Sequence, residues 1–197
     1  MREVELKSVV DDLSARRKQV ELAGGKLSFG GKLIDRRYDS SNDDLIGRDH
    51  VLRLRVYESG GQREGHLDWK GETRYEDGYK VRDEISTVVG DPDSVATMLA
   101  NLGFRVIREI EREIFQYSLA GAVVRFERYP RMDDLVEVEG SPEAIERAIS
   151  MIGLPRPGFI PARLVDFTTD FETRTGLRAA VSAREMSGEY PLSRDSA

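Results

Sequence analysis

The chain has 197 residues and a mass of 22.2 kDa, the size of one domain at roughly 150 residues per domain. Its 30 Lys and Arg against 36 Asp and Glu give a net charge of -6, which excludes a nucleic-acid binder relying on overall basicity, and the lack of cysteine excludes a disulfide scaffold, a cysteine zinc site and a thiol nucleophile. His50 and His66 are too few for a histidine-rich metal centre, no apolar run approaches the ~18 residues of a membrane span, and the first five residues lack the apolar core of a signal peptide, so a soluble cytoplasmic protein with no membrane or nucleic-acid partner is expected.

In chain order, residues 3–9 alternate Val4 and Leu6 with Glu3, Glu5 and Lys7 and read as a strand. Asp11 or Asp12 caps a helix that uses Leu13, Val20 and Leu22 and stops at Gly24-Gly25. Residues 26–39 read as extended, 51–57 as a clear strand, and 67–70 and 79–85 as two more, with turns at Gly71 and Asp77-Gly78. Asp91-Pro92-Asp93 opens a helix that Gly103 ends. Residues 105–117 and 122–129 read as strands paired around Ala120-Gly121, and 135–138 as another. Ser141-Pro142-Glu143 opens a helix closed by Gly153, and a proline-rich link leads to a last short helix over 165–173. The expected organisation is one strand-rich domain over 1–175 and a polar, partly disordered tail over 176–197.

The informative pattern is which residues share a strand face, since i and i+2 point the same way. Glu3, Glu5 and Lys7 share one face, as do Arg53 and Arg55, Lys80, Arg82 and Glu84, Arg108 and Arg112, Arg125 and Glu127, and Glu137 and Glu139. One such strand is an ordinary sheet with a wet face. Several together differ, because same-sign neighbours repel unless something of opposite charge lies between them. Acidic pairs suit a divalent cation with hard oxygen ligands, and arginines suit phosphates. If the sheet closes, the charged face lines the inside and helices cover the apolar outside, the inverse of a small barrel with a packed interior.

In order along the chain, Glu3-x-Glu5-x-Lys7, Tyr38-Asp39, Leu52-Arg53-Leu54-Arg55, Leu67-x-x-Lys70-Gly71, Arg82-x-Glu84, Arg112-Glu113-x-Phe115, Phe126-Glu127-Arg128-Tyr129-Pro130 and Leu135-Val136-Glu137-Val138-Glu139-Gly140 resemble the motifs of the CYTH family of class IV adenylate cyclases, thiamine triphosphatases and inorganic triphosphatases. Three positions depart from the family pattern: Glu127 stands for a frequent Asp, Ile110 for a Lys two residues before Arg112, and Ser86 for a further Glu.

The resemblance implies an α+β fold, a closed eight-stranded antiparallel barrel called the triphosphate tunnel, with a charged interior and helices outside. It implies that Glu3, Glu5, Glu137 and Glu139, assisted by Glu84 and Glu127, bind Mg or Mn. Lys7, Arg53, Arg55, Lys70, Arg82, Arg112 and Arg125 would bind the triphosphate of a nucleoside triphosphate or of inorganic triphosphate. Lys70, crowded by Arg53 and Arg55, is the candidate base. The resemblance leaves open a cyclase, a hydrolase and a non-catalytic polyphosphate binder, with the cyclase-like branch the nearest in the run from Tyr129 to Ser141; a homodimer is compatible with all three. His50, His66 and Asp133-Asp134 read as ordinary loop or strand-end residues, and Trp69 as packing on the opposite face from Lys70.

Overall fold

The computed structural model describes residues 2–189. Its strands are β1 (Arg2–Val9), β2 (Lys26–Asp39), β3 (Val51–Ser59), β4 (Gln62–Lys70), β5 (Arg74–Glu76), β6 (Tyr79–Val89), β7 (Arg105–Leu119), β8 (Ala122–Arg128) and β9 (Leu135–Glu139). The helices are α1 (Leu13–Leu22), α2 (Pro92–Asn101), α3 (Pro142–Ile152), α4 (Leu164–Thr175) and the single turn α5 (Ala183–Met186). Strands run β1-β9-β8-β7-β2-β3-β4-β6, and β6 returns to pair with β1. Every pairing is antiparallel, so the sheet closes into an eight-stranded barrel, with β5 an added strand on the start of β6.

Local chemistry sets the connections. Gly60-Gly61, Asp77-Gly78 and Ala120-Gly121 each hold two successive positive φ angles between paired strands, as a two-residue hairpin with right-twisted strands requires. Asp12 caps α1 by accepting from the Ala15 N–H at 3.0 Å, and Ser141 caps α3 by accepting from Ala144. Gly153 ends α3 at φ 79°, where a Cβ would also collide with Gln19.

Alternation then divides the barrel wall. Val4, Leu6, Tyr117, Val124, Phe126, Val136 and Val138 point outward and are buried under Ile145, Ile149 and Ile152 of α3 and Val20 of α1. Each fully buried side chain of this kind contributes about 1.5–3 kcal/mol. A second outer cluster sets Tyr38 and Leu54 against Leu99 of α2. A third, Ile110, Tyr129, Leu135, Phe167 and Val181, gathers where α4 and the segment after it meet the barrel.

One expectation needs correction and another is filled in by the structure. Gln62-Arg63-Glu64 carries no apolar alternation, yet the whole of 62–70 is strand, because the register with β3 and β6 is what extends it. The expected tail over 176–197 is folded in its described part. Arg131 and Ala180 exchange backbone hydrogen bonds at 3.0 and 2.8 Å, Glu111 N–H donates to Val181 at 2.7 Å, and Ala179–Ser182 is buried. That run is too short for a periodic signal, and it is ordered by the apolar ground it covers. Residues 190–197 of the expected tail lie outside the described residues. Among the described residues no helix is long and apolar enough to cross a membrane.

Candidate active site: a charged tunnel

The inward face of the barrel is lined with charge. Glu3, Glu5, Lys7, Arg53, Lys70, Arg82, Arg112, Arg125, Glu127 and Glu137 line one continuous cavity. Glu3 and Arg125 also reach a second cavity, of about 470 Å³, together with Arg55, Glu84 and Glu139. All the metal- and phosphate-binding candidates from the sequence thus line these two adjoining cavities, although they come from seven strands. The first cavity holds only about 70 Å³, because long side chains of opposite sign cross it and pair.

On β1 and β9 the residues alternate in sign across strands. Lys7 lies opposite Glu137, Glu137 opposite Arg125, and Glu5 between Lys80 and Glu139. Lys7 Nζ donates to Glu5 at 2.9 Å and to Glu137, and Lys80 Nζ donates to Glu5 at 2.7 Å. Lys70 Nζ meets both Glu3 carboxylate oxygens at 2.5 Å and lies 3.2 Å from Glu84. Burial pulls the Lys70 ammonium down and Arg53 adds to it; Glu3, Glu5 and Glu84 oppose them, and the net shift is downward. Lys80 is pulled down by burial to about 8, against the pull of Glu5.

Glu139 stands apart. No salt bridge reaches it among the described residues, and it lies opposite Glu5. Burial, then the neighbouring Glu3, push its carboxyl up; Arg125 and Lys70 only partly offset this, and Glu5 adds to the rise.

Arg53 and Arg55 of β3, Arg112 of β7 and Arg125 of β8 are held by carboxylates of β2, β4 and β8. Asp68 is fully buried; its Oδ2 lies 2.9 Å from Arg53 Nε and 2.5 Å from Arg55 Nε, and its Oδ1 accepts from Ser86 at 2.5 Å. Burial raises the Asp68 carboxyl, but Arg53 and Arg55 overcome that and bring it to about 2. Glu127 accepts from Arg112 Nε at 3.0 Å and from the Tyr129 hydroxyl at 2.5 Å, and lies 3.3 Å from Arg125. Against its burial, Arg112 and Arg125 hold it at about 2. Asp35 lies 3.4 Å from Arg53 and 3.9 Å from Arg112. Arg82 is fixed by carbonyls, donating to Gly71 at 2.6 Å and to Asp49.

The sequence reading missed Asp35, Arg37, Asp68 and Tyr129 as tunnel residues. Three had a signal: Asp35 and Arg37 are two apart on an extended stretch, and Asp68 is two before Lys70. Their importance comes from cross-strand partners, which the sequence does not display. Trp69 meets His50 edge-on at 5.1 Å and packs on Gly71, away from the tunnel.

Carboxylate oxygens are the donors that Mg and Mn prefer, and the charge gathered by Glu3, Glu5 and Glu139 is of the kind a divalent cation neutralises. Among the described residues no three acidic or histidine side chains converge on one point, since lysines hold the carboxylates of Glu3 and Glu5. The donor set thus suits such an ion in ligand type but not in convergence, and the lysines would have to give way for it. Across the tunnel, Arg112 Nη1 is buried without a hydrogen-bond partner, a donor left open for an anion.

No family model matches the sequence, and neither does any curated protein. Solved structures do match. A candidate adenylate cyclase from Vibrio parahaemolyticus is 18% identical, with a TM-score of 0.72 over 85% of this chain and 97% of its own. PH1819 from Pyrococcus horikoshii OT3 is 21% identical, with a TM-score of 0.70 over 85% of this chain and 98% of its own. HpAC1 from Hippeastrum, a candidate adenylyl cyclase with a dominant triphosphatase activity, is 15% identical, with a TM-score of 0.58 over 96% of this chain and 98% of its own. At these identities the likeness speaks for the fold alone, and that fold is the closed eight-stranded antiparallel barrel that the resemblance implied.

Proposed function

We propose that this protein is a divalent-metal-dependent enzyme acting on the triphosphate group of a nucleotide, with a class IV adenylate cyclase-like conversion of ATP to cyclic AMP and pyrophosphate as the leading reading. The observation that carries it is the pairing of two opposed walls in one buried tunnel, glutamates on β1 and β9 facing arginines on β3, β7 and β8. A pure anion binder has no use for the glutamate wall.

Glu3, Glu5, Glu137 and Glu139 would hold Mg or Mn, with Glu84 at the rim. Glu127 is better assigned to the arginines, because Arg112, Arg125 and Tyr129 all engage it. The bound ion would neutralise phosphate charge and polarise the phosphorus–oxygen bonds. Arg53, Arg55, Arg112 and Arg125, with Lys7 and Arg82, would grip the phosphate oxygens and stabilise the charge that grows on the leaving group. Their counter-ions Asp68, Asp35 and Glu127 fix them beforehand, so little reorganisation is needed on binding. In the cyclase reaction the ribose 3′-oxygen bonds to the α-phosphorus, the bond to the bridging oxygen breaks, and pyrophosphate departs with that electron pair. Lys70, drawn below its ordinary range by burial and Arg53, would take the hydroxyl proton once its neutral form is present.

A second reading, attack of water on the terminal phosphate, is favoured by the likeness to HpAC1 and its triphosphatase activity. Paired assays with Mg or Mn divide the two. Purified protein receives ATP, read for cyclic AMP and pyrophosphate, or inorganic triphosphate, read for phosphate. Cyclic AMP supports the cyclase; phosphate from triphosphate with no cyclic AMP replaces it with the hydrolase. Binding without turnover in both would remove the enzyme reading.

A further inference from the structure

At one level of the tunnel, the register across β3, β2 and β7 aligns three arginines. Arg37 is the partner of Arg53 on one side and of Arg108 on the other. Side chains so opposed have Cβ atoms about 4.5–5.5 Å apart, and like charges there repel. Arg53 is balanced by Asp68, Asp35 and Glu84. Arg37 is not: among the described residues it makes no salt bridge, and its Nε is buried without a hydrogen-bond partner. It lines the same cavity as Arg53, Lys70 and Arg112. Burial pulls its guanidinium down to about 9; Asp35 works against this, and Arg108, Arg53 and Arg112 add to the fall. A half-buried cation whose Nε is buried without a partner is costly to hold in a folded chain. An anion at this level would satisfy the donor and screen the row, and the guanidinium fork matches phosphate geometry.

We propose that Arg37 is a phosphate-binding residue, completing with Arg53 and Arg108 a subsite for one phosphate of the triphosphate chain. This rests on the triphosphate reading of the tunnel and adds a contact that the resemblance did not name. A residue kept in a repulsive row for binding is removed without harm to the empty fold.

The test is calorimetric titration of inorganic triphosphate into the full chain, in chelator so that no turnover occurs, together with Tm values without ligand. Arg37→Met is expected to weaken triphosphate binding at least tenfold while its ligand-free Tm stays level or rises, and Arg37→Lys is expected to fall between it and the unmodified chain. Equal affinity in Arg37→Met and the unmodified chain would overturn the subsite, as would a lower Tm with unchanged affinity, which marks a structural arginine. If the unmodified chain itself takes up no triphosphate, the triphosphate reading fails first, an outcome distinct from failure of Arg37 alone.

Discussion

The two walls of the tunnel balance charge in different ways. On the arginine wall, buried Asp68 and Glu127 are each clasped by two arginines, and both carboxyls sit at about 2. On the glutamate wall Glu3 and Glu5 are balanced by lysines, Glu137 by Lys7 and Arg125 together, and Glu139, opposite Glu5, is left with its carboxyl pushed up. The difference teaches what each wall is built for. Fixed carboxylates preset the arginines' geometry, whereas lysines on long flexible stems hold glutamates in a way that an incoming cation can exchange. On the proposed function, the arginine wall is preorganised for phosphate and the glutamate wall exchanges its lysines for a cation.

The strongest way to break the contrast is Lys70→Met. It removes the proposed base and the partner of Glu3, and turnover is expected to fall about 10²–10⁴-fold, read as kcat separately from KM. Full turnover would dismiss Lys70 both as base and as phosphate contact.

Next comes Asp68→Asn. Removing one member of a buried ion pair costs about 3–5 kcal/mol, and Asp35 and Glu84 still support Arg53, so about 3 kcal/mol is expected in urea unfolding. KM for the triphosphate substrate should rise as Arg53 and Arg55 lose their brace. A stability change below about 1 kcal/mol would show that Asp68 does not organise this wall.

The pH dependence sets Glu139 apart from the paired carboxylates, because Glu3 and Glu5 on its own wall are lowered by their lysines just as Asp68 and Glu127 are lowered by arginines. Asp68 and Glu127 have folded-state values of about 2, below the ordinary 3.8 and 4.5. Their stabilisation is present above those ordinary values and is lost as pH falls toward 2. Glu139 is raised above 4.5, so the folded state holds its proton more tightly, and stability falls as pH climbs through its raised value. Glu139→Gln should flatten that fall, and Glu127→Gln should flatten the acid limb. Chemical denaturation across pH checks both; the same limb flattened by both variants would erase the distinction between Glu139 and the paired carboxylates.

The smallest effect belongs outside the tunnel. Arg63 and Asp93 form an exposed ion pair at 2.5 Å, and Arg63→Ala should change stability by about 0.2–1 kcal/mol at most. A loss as large as that of Asp68→Asn would mean that burial is not what separates the tunnel's ion pairs from those of the surface.

Much of this was legible in the chain itself. Alternation of Glu3, Glu5 and Lys7 with Val4 and Leu6 fixed a strand with a charged face, and the same rule held at Arg53 and Arg55 and at Glu137 and Glu139, because a side chain's face in a strand follows from a period of two. Caps at Asp12, Asp91 and Ser141 and positive-φ turns at Ala120-Gly121 are likewise local, set within a few residues. Tertiary structure alone decided three things. Closure of β6 on β1 turned a charged face into an interior, since barrel closure depends on pairings 75 to 81 residues apart in register, from Glu5 with Lys80 to Arg2 with Asp83. It ordered Ala179–Ser182 against Ile110 and Tyr129, a contact with no periodic signal. And it chose which charge faces which, setting Asp68 between Arg53 and Arg55 and leaving Arg37 in a row of arginines. Composition and spacing determine which groups a strand presents; only the register between distant strands determines which of them are neutralised and which are left for a ligand.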